Sequence, residues 1–371
     1  MTSQPLGTDL AAMRRLNDHA VLTTLWEADG PLTATQLASV TGLSRTTVEA
    51  VLPGMLDNGL ALAEQLRPNR AGRPARGYSF AAAHGVSVGI DIGPHGIAGI
   101  AGDLRGTVIA PHRRIERDLS DGEDAVAAAV DLVGALLDEA PATRELAALT
   151  VGIPGIVDAS GHPVKTTVVP DWLAADIDAH LRRAFPEARI AFDNDTKLAA
   201  IAEIETGAVG PDETAVVLRI GNRISAASIV DGRVARGAHG AAGEIGALGR
   251  VAWPQAQQRL TTRAAGQIER LFRGGDELSD QADAAVSEFA ADIADGLGAL
   301  VLAIDPHAVV ISSSIPAASI RLAEALRREL SGRALFLPEV RASVLGAAAP
   351  CLGALAVSTA AVHERLFARE Y

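Results

Sequence analysis

Arg67, Arg70, Arg73 and Arg76 recur at three-residue spacing in Arg-Pro-Asn-Arg-Ala-Gly-Arg-Pro-Ala-Arg, a run with four positive charges and no negative one. Guanidinium groups so closely spaced suit phosphate, because each carries several N–H donors and a charge that stays on at any ordinary pH. Arg70, Arg73 and Arg76 are therefore candidates to enter a minor groove or to pair with backbone phosphates. Upstream lies a second set, Ser44-Arg-Thr-Thr-Val-Glu49. Its short hydroxyls, guanidinium and carboxylate are groups that hydrogen-bond base edges in a major groove. Ser44, Arg45, Thr46, Thr47 and Glu49 are the candidates there.

Such side chains read DNA only if a scaffold holds them. Residues 31–60 have the layout of a helix-turn-helix. Ala38 is small enough for the second helix to pack beneath it, Gly42 permits a left-handed turn, and Val48, Val51 and Leu52 form the buried face of the next helix. Ser44 is placed to cap that helix. An earlier amphipathic helix over Asn17–Ala28 supplies the third wall. Leu60–Gln65 and Gly77–Phe80 have strand character and flank the arginine run, which makes it the loop of a two-stranded wing. Pro53 falls inside the recognition helix, where it removes one backbone bond, so a kink is expected there, beyond the base-reading end. The plainer alternative is a helical hairpin followed by a solvated arginine linker. Turn, apolar face, wing and basic loop nevertheless agree on one arrangement.

Charge separates this segment from the rest. Residues 1–80 hold seven Arg and no Lys against seven acidic side chains, so the whole net charge of -12 falls on residues 81–371. Coating nucleic acid or anionic lipid through bulk charge is thereby excluded, and any DNA contact must be local. Cys351 is the only cysteine in 371 residues, which rules out an internal disulfide and a cysteine-rich zinc site. No charge-free apolar stretch reaches the roughly 20 residues needed to span a bilayer. No membrane partner, no metal and a cytoplasmic location are the expectations. Hydrophobic residues make up 48% of the chain but aromatics only 3%, so the cores must be built from Ala, Val, Leu and Ile.

After residue 84 short apolar runs alternate with longer helical stretches, the pattern of a mixed α/β domain. Val86–Ile92, Ile97–Asp103, Thr107–Pro111, Leu149–Ile153, Ile190–Phe192, Ala215–Ile220 and Ala308–Ser312 read as strands. Asp124–Glu139, Thr196–Thr206, Gln281–Ile304 and Ile320–Leu330 read as helices. That is too much chain for one core, and two lobes are expected.

Three segments resemble the ROK family of repressors and sugar kinases: Val88-Gly-Ile-Asp-Ile-Gly-Pro-His-Gly, continuing to Gly106; Val151-Gly-Ile-Pro-Gly-Ile-Val-Asp158; and Phe192-Asp-Asn-Asp-Thr-Lys, continuing to Glu203, followed by Gly237-Ala-His-Gly-Ala-Ala-Gly-Glu-Ile-Gly246. The resemblance implies an α/β fold in which a winged helix-turn-helix precedes a two-lobed, actin/hexokinase-like (ribonuclease H-like) ROK domain. It places the head at 1–82, lobe 1 at 83–194 completed by helix 350–371, and lobe 2 at 195–349. It also implies that Asp91 occupies a phosphate-site position and that Gly155 lies in a turn approaching the sugar. Asn194 and Glu244 match residues that hold sugar hydroxyls, and Asp195 matches the base that takes the sugar's proton.

Phosphoryl transfer further needs amides that cradle the nucleotide phosphates. Here the first phosphate turn reads Gly93-Pro94-His95-Gly96, the second Gly221-Asn222-Arg223-Ile224-Ser225, and the Gly-Gly of the adenine site is replaced in Ser312-Ser313-Ser314. Ala247 stands in the family's histidine position. His239 and His95 read as hydrogen-bonded loop residues rather than metal ligands. Asn194 and Asp195 also read as an N-cap pair for the helix that follows, and both roles can coexist.

The expectation is a DNA-binding transcriptional regulator of the repressor kind, not an enzyme and without a cofactor. Its core senses a sugar-like effector, and it binds a double-stranded DNA operator as a homodimer or dimer of dimers. Two rivals stay open: an ATP-dependent sugar kinase with Asp195 as base, and a regulator controlled by a protein partner with no small-molecule ligand.

Overall fold

Helix α1 (Leu10–Glu27) leads into a short strand β1 (Leu32–Thr33), helix α2 (Ala34–Thr41) and helix α3 (Arg45–Asp57). In this computed structural model, residues 10–66, 75–140, 145–166, 168–221, 223–261, 280–314 and 316–367 are described. Thr33 opens α2 with a reciprocal capping box to Gln36, and Gly42 closes it at φ 73°, a left-handed turn that a Cβ would strain. Val48, Val51, Leu52 and Met55 of α3 are buried against Val21, Leu22 and Leu25 of α1 and Leu37 of α2. Strands β2 (Ala61–Leu66) and β3 (Ala75–Phe80) pair antiparallel, and β1 adds to the other side of β3. The helix-turn-helix and its wing are thus formed as the spacing predicts.

Pro53 does not end its helix: α3 continues to Asp57. Pro53 lies on the exposed face, so the carbonyl it leaves without an N–H partner can turn to water at low cost.

The second unit opens with β4 (Val86–Gly93), β5 (Gly96–Asp103) and β6 (Val108–Glu116), an antiparallel meander. β6 runs longer than its apolar core suggests because its outer half is an edge strand of exposed Arg and Glu, which alternation of hydrophobicity does not reveal. Helix α4 (Gly122–Asp138) covers one face, and Asp121 caps it. β7 (Leu146–Ile153) then runs parallel to β4. After a small hairpin of β8 (Ile156–Val157) and β9 (Pro163–Lys165) and two short helices, α5 (Pro170–Ala174) and α6 (Ile177–Ala184), strand β10 (Arg189–Asn194) runs parallel to β7. The sheet order is β10-β7-β4-β5-β6.

Helix α7 (Asp195–Thr206) carries the chain to a second five-stranded sheet. It contains β11 (Ala215–Ile220), β12 (Ile224–Val230), β13 (Arg233–Val234), β14 (Ala308–Ser313) and β15 (Glu339–Ala342), in the order β13-β12-β11-β14-β15. Helix α8 (Trp253–Thr261) follows β13. Helices α9 (Asp280–Ile304) and α10 (Pro316–Leu330) cover one face through Phe289, Ile293, Leu297, Leu322 and Leu326. Ala200 of α7 packs on the other face, against Ala215, Val217 and Val310.

The last helix, α11 (Ala349–Phe367), returns to the first sheet and lies between it and α7. Backbones approach so closely there that side chains are excluded. A Cβ on Gly89 of β4 would sit 2.4 Å from the Cys351 carbonyl oxygen, and one on Gly353 would sit 1.8 Å from that of Leu198. By length and composition Gly346–Phe367 is the one helix among the described residues able to cross a membrane, yet half of it is buried as a core helix of this fold.

Candidate functional site

The N-terminus of α3 displays the predicted base-reading set, but not uniformly. Ser44 caps the helix by accepting the Thr47 N–H at 3.1 Å, and the two hydroxyls share a further hydrogen bond of 2.8 Å. Their polar atoms are engaged in holding the helix end. Arg45, Thr46 and Glu49 are exposed, with Arg45 and Glu49 paired at 2.9 Å across one helical turn. Such a solvent-exposed pair is worth about 0.5 kcal/mol or less, so either partner is free to exchange it for a DNA contact. On the wing, Arg76 is exposed, with its guanidinium 5.5 Å from the Tyr78 ring centre. Arg70 and Arg73 lie outside the described residues.

This head is fastened to the core. Arg105, in the turn after β5, donates to the carbonyls of Leu25 at 2.8 Å and Ala28 at 3.3 Å, capping the C-terminal end of α1. Trp26 meets Phe80, His363 and Phe367 edge to face, so the head rests on the end of α11.

The second set of residues converges where three parallel strands end. Asp91 on β4 and Asp193 on β10 are both in register with Gly152 of the intervening β7. Gly152 has no side chain to separate them: a Cβ there would lie 3.2 Å from an Asp91 carboxylate oxygen. Sites at the carboxyl ends of parallel strands are the usual place for ligands in such sheets.

Asn194 is buried and spends its side chain on structure. Its Oδ1 caps α7 by accepting the N–H groups of Thr196 at 3.0 Å and Lys197 at 3.1 Å, while its Nδ2 donates to the Gly155 carbonyl at 3.0 Å. The N-cap reading holds for Asn194, and the same amide fixes the Gly155 turn. Asp195 begins the helix itself. One carboxylate oxygen accepts the Thr196 N–H at 2.8 Å, and the other accepts Arg219 Nη1 at 2.7 Å. Glu244, beyond the loop of Gly237, Gly240 and Gly243, comes near Lys197 and Asp195; the residue as a whole is exposed while its carboxyl is partly desolvated.

Three cations in this cleft escaped the sequence reading. Arg219 reaches from β11 to Asp195 and, at 3.7 Å, to Asp91. Arg236 binds Asp193. Lys197 is 2% exposed and donates to the Gly240 carbonyl. A charged residue inside an apolar strand, as in Ala-Val-Val-Leu-Arg-Ile, and a lysine within the apolar face of α7 were the available signals, because buried charges need partners.

Burial pushes the Asp91 carboxyl up to about 6; Arg219 and Arg114 oppose the rise and Asp195 adds to it. Burial also pushes Lys197 below the usual lysine range, against the pull of Asp193 and Glu244. It raises Glu244, which Lys197 partly offsets. For Arg219, Asp195 and Asp91 outweigh the burial that would lower it.

The phosphate turns are likewise engaged. The Pro94 and His95 carbonyls accept the N–H groups of Leu119 and Arg117, and Gly221 donates to Arg223 within a tight hairpin. The Ser225 hydroxyl bonds that of Thr196 at 2.7 Å. Among the described residues no cluster of His, Cys, Asp and Glu has metal-binding geometry.

Residues 87–252 match the ROK family. Over 93% of this chain and 95% of its own length, the xylose repressor of Bacillus spizizenii is 22% identical. The DNA-binding transcriptional dual regulator NagC of Escherichia coli is 25% identical over 63% of this chain and 57% of its own. Among solved structures, a ROK family transcriptional regulator described as a homologue of E. coli MLC superposes with TM-score 0.64, covering 96% of this chain and 98% of its own at 17% identity. A ROK hexokinase from Thermus thermophilus has TM-score 0.56 and 26% identity over 75% of this chain and 99% of its own. The segment that matches the ROK family thus lies in the two-lobed core, and a winged head precedes it, as in the ROK regulator whose fold superposes on this chain.

Proposed function

We propose that this chain is a DNA-binding transcriptional repressor whose kinase-like core senses a sugar-like metabolite instead of phosphorylating one. The observation that carries the reading is the Arg219 guanidinium on Asp195. A general base must be within open reach of the hydroxyl it deprotonates. Here a guanidinium lies on one oxygen of the carboxylate and the other accepts the Thr196 N–H, so a sugar hydroxyl reaches Asp195 as a base only by displacing Arg219, while Gly221 in the second phosphate turn spends its N–H on the Arg223 carbonyl. The similarity to a xylose repressor and to NagC supports the same assignment.

In this reading α3 enters the major groove with Arg45, Thr46 and Glu49 on base edges, while Ser44 and Thr47 hold the helix end. Arg76, with Arg70 and Arg73, engages phosphate or the minor groove from the wing. The head spans 1–82, lobe 1 spans 83–194 with 350–371, and lobe 2 spans 195–349. Two heads in a homodimer or dimer of dimers read two half-sites, and effector binding between the lobes changes their spacing. Glu244 and Asp195 offer acceptors for a polyol. The protein works in the cytoplasm without a metal or cofactor.

The test is paired. Selection of bound fragments from genomic DNA, followed by fluorescence anisotropy, should yield a duplex bound at nanomolar concentration and weakened by a sugar or sugar-like compound. A coupled ATP assay over a sugar panel should show no turnover above background. Brisk phosphorylation with no duplex preference would replace this reading with that of a sugar kinase.

A further inference from the structure

The two carboxylates flanking Gly152 belong to the first sheet, and each is held by an arginine from the second. Arg219 of β11 reaches Asp91 of β4 while also holding Asp195 at the start of α7. Arg236, just beyond β13, holds Asp193 of β10. Asp91 and Asp193 share one register position on either side of β7, so the two arginines close over the same sheet end from neighbouring points. Lys197 of α7 donates to the Gly240 carbonyl and so steadies the loop that follows Arg236. The packing is tight: a Cβ on Gly240 would lie 2.0 Å from the Val157 carbonyl oxygen.

We propose that Arg219 and Arg236 form a two-point clasp that holds the lobes closed across the cleft when no ligand is bound. The geometry is economical. Asp91, Asp193 and Asp195 would repel one another across an empty cleft, and two guanidinium groups from the opposite sheet neutralise them without a metal or nucleotide. Arg219 suits the double contact because its planar fork presents separate donors to two carboxylates, which a lysine cannot reproduce. The consequence for a ligand is competition. A molecule entering the cleft gains hydroxyl contacts only by taking carboxylate oxygens from the arginines, so binding and release of the clasp are one event. The clasp deepens the regulator reading of this cleft, and it rests on that reading only for its effect on DNA affinity.

The experiment measures lobe separation in the full chain without DNA or effector. Cys351 is buried, so cysteines introduced at the exposed Glu123 and Glu324 accept a pair of spin labels. Wild type should give one short distance distribution. Arg219→Ala should shift it to longer, broader distances, and Arg219→Lys should shift it partway. Asp91→Asn cuts only the arm to lobe 1 and leaves the Asp195 pair, so it guards against misfolding in the arginine variant. Arg236→Ala should add its own shift. An unchanged distribution in folded Arg219→Ala, Asp91→Asn and Arg236→Ala, checked by circular dichroism, would overturn the clasp. Failure of the regulator reading would look different: no duplex bound by wild type, with the distance shifts intact.

Discussion

The head and the cleft use similar side chains to opposite ends. At the start of α3, Arg45 and Glu49 pair in full view of solvent and lose little by parting. In the cleft, Arg219 is three-quarters buried between Asp195 and Asp91, where parting them leaves charges with little water to replace the partner. The arginine proposed to read DNA is loosely engaged, and the arginine proposed to clasp the lobes is partly desolvated against its own carboxylates. The same logic separates Ser44, whose hydroxyl serves its helix, from Thr46, whose side chain is left exposed beside it.

The largest expected effect tests the support beneath the cleft. Gly353→Ala forces a methyl against the Leu198 backbone and should cost about 3 kcal/mol, seen as a fall in Tm, because two backbones must separate rather than one side chain shift. Next comes the buried carboxylate. Asp91 titrates near 6 in the folded chain, so the native state holds a proton that the unfolded chain, near 3.8, has released. Its contribution to stability is therefore present below about pH 4 and lost as pH rises through 6, a change of roughly 1–3 kcal/mol. Asp91→Asn should flatten that part of the profile in urea titrations between pH 4.5 and 7; an unaltered slope would show that another group titrates there.

On the head, Arg45→Ala should weaken operator binding by about 1–3 kcal/mol and relax specificity at one base, read by anisotropy on single-base operator variants. Ser44→Ala should lower stability by about 1 kcal/mol through loss of the cap, and affinity should follow only as far as the helix end frays. The smallest effect is Arg76→Ala. It should weaken all duplexes alike and reduce the salt dependence of binding by about one counterion, whereas a sequence-selective loss would move Arg76 from phosphate to base contact.

Much of the fold could be read along the chain because its signals are short in range. Ala215–Ile220 is a strand as expected, α9 and β14 begin or end within a residue of their expected bounds, and Gly42 takes the left-handed turn. Misplaced boundaries have local reasons of their own. β6 extends through charged edge residues, and α10 starts at Pro316, a residue that suits a first helical turn although it usually signals a break. In the cleft, Asp195 and Asn194 could be located by motif, but what they touch could not. Asn194 proved to be both helix cap and anchor of Gly155.

Sequence alone determined the helix-turn-helix: its caps, its turn, the apolar face of α3 and the exposure of Arg45 all follow from neighbours three or four residues apart. Tertiary structure decided the cleft. Nothing in the spacing of Asp91, Asp193, Arg219 and Arg236 pairs them, since the pairing depends on two separate sheets meeting across α7. Burial of Asp91, Asp193 and much of Arg219 makes those carboxylates need cationic partners, and Arg236 reaches Asp193 from the exposed side.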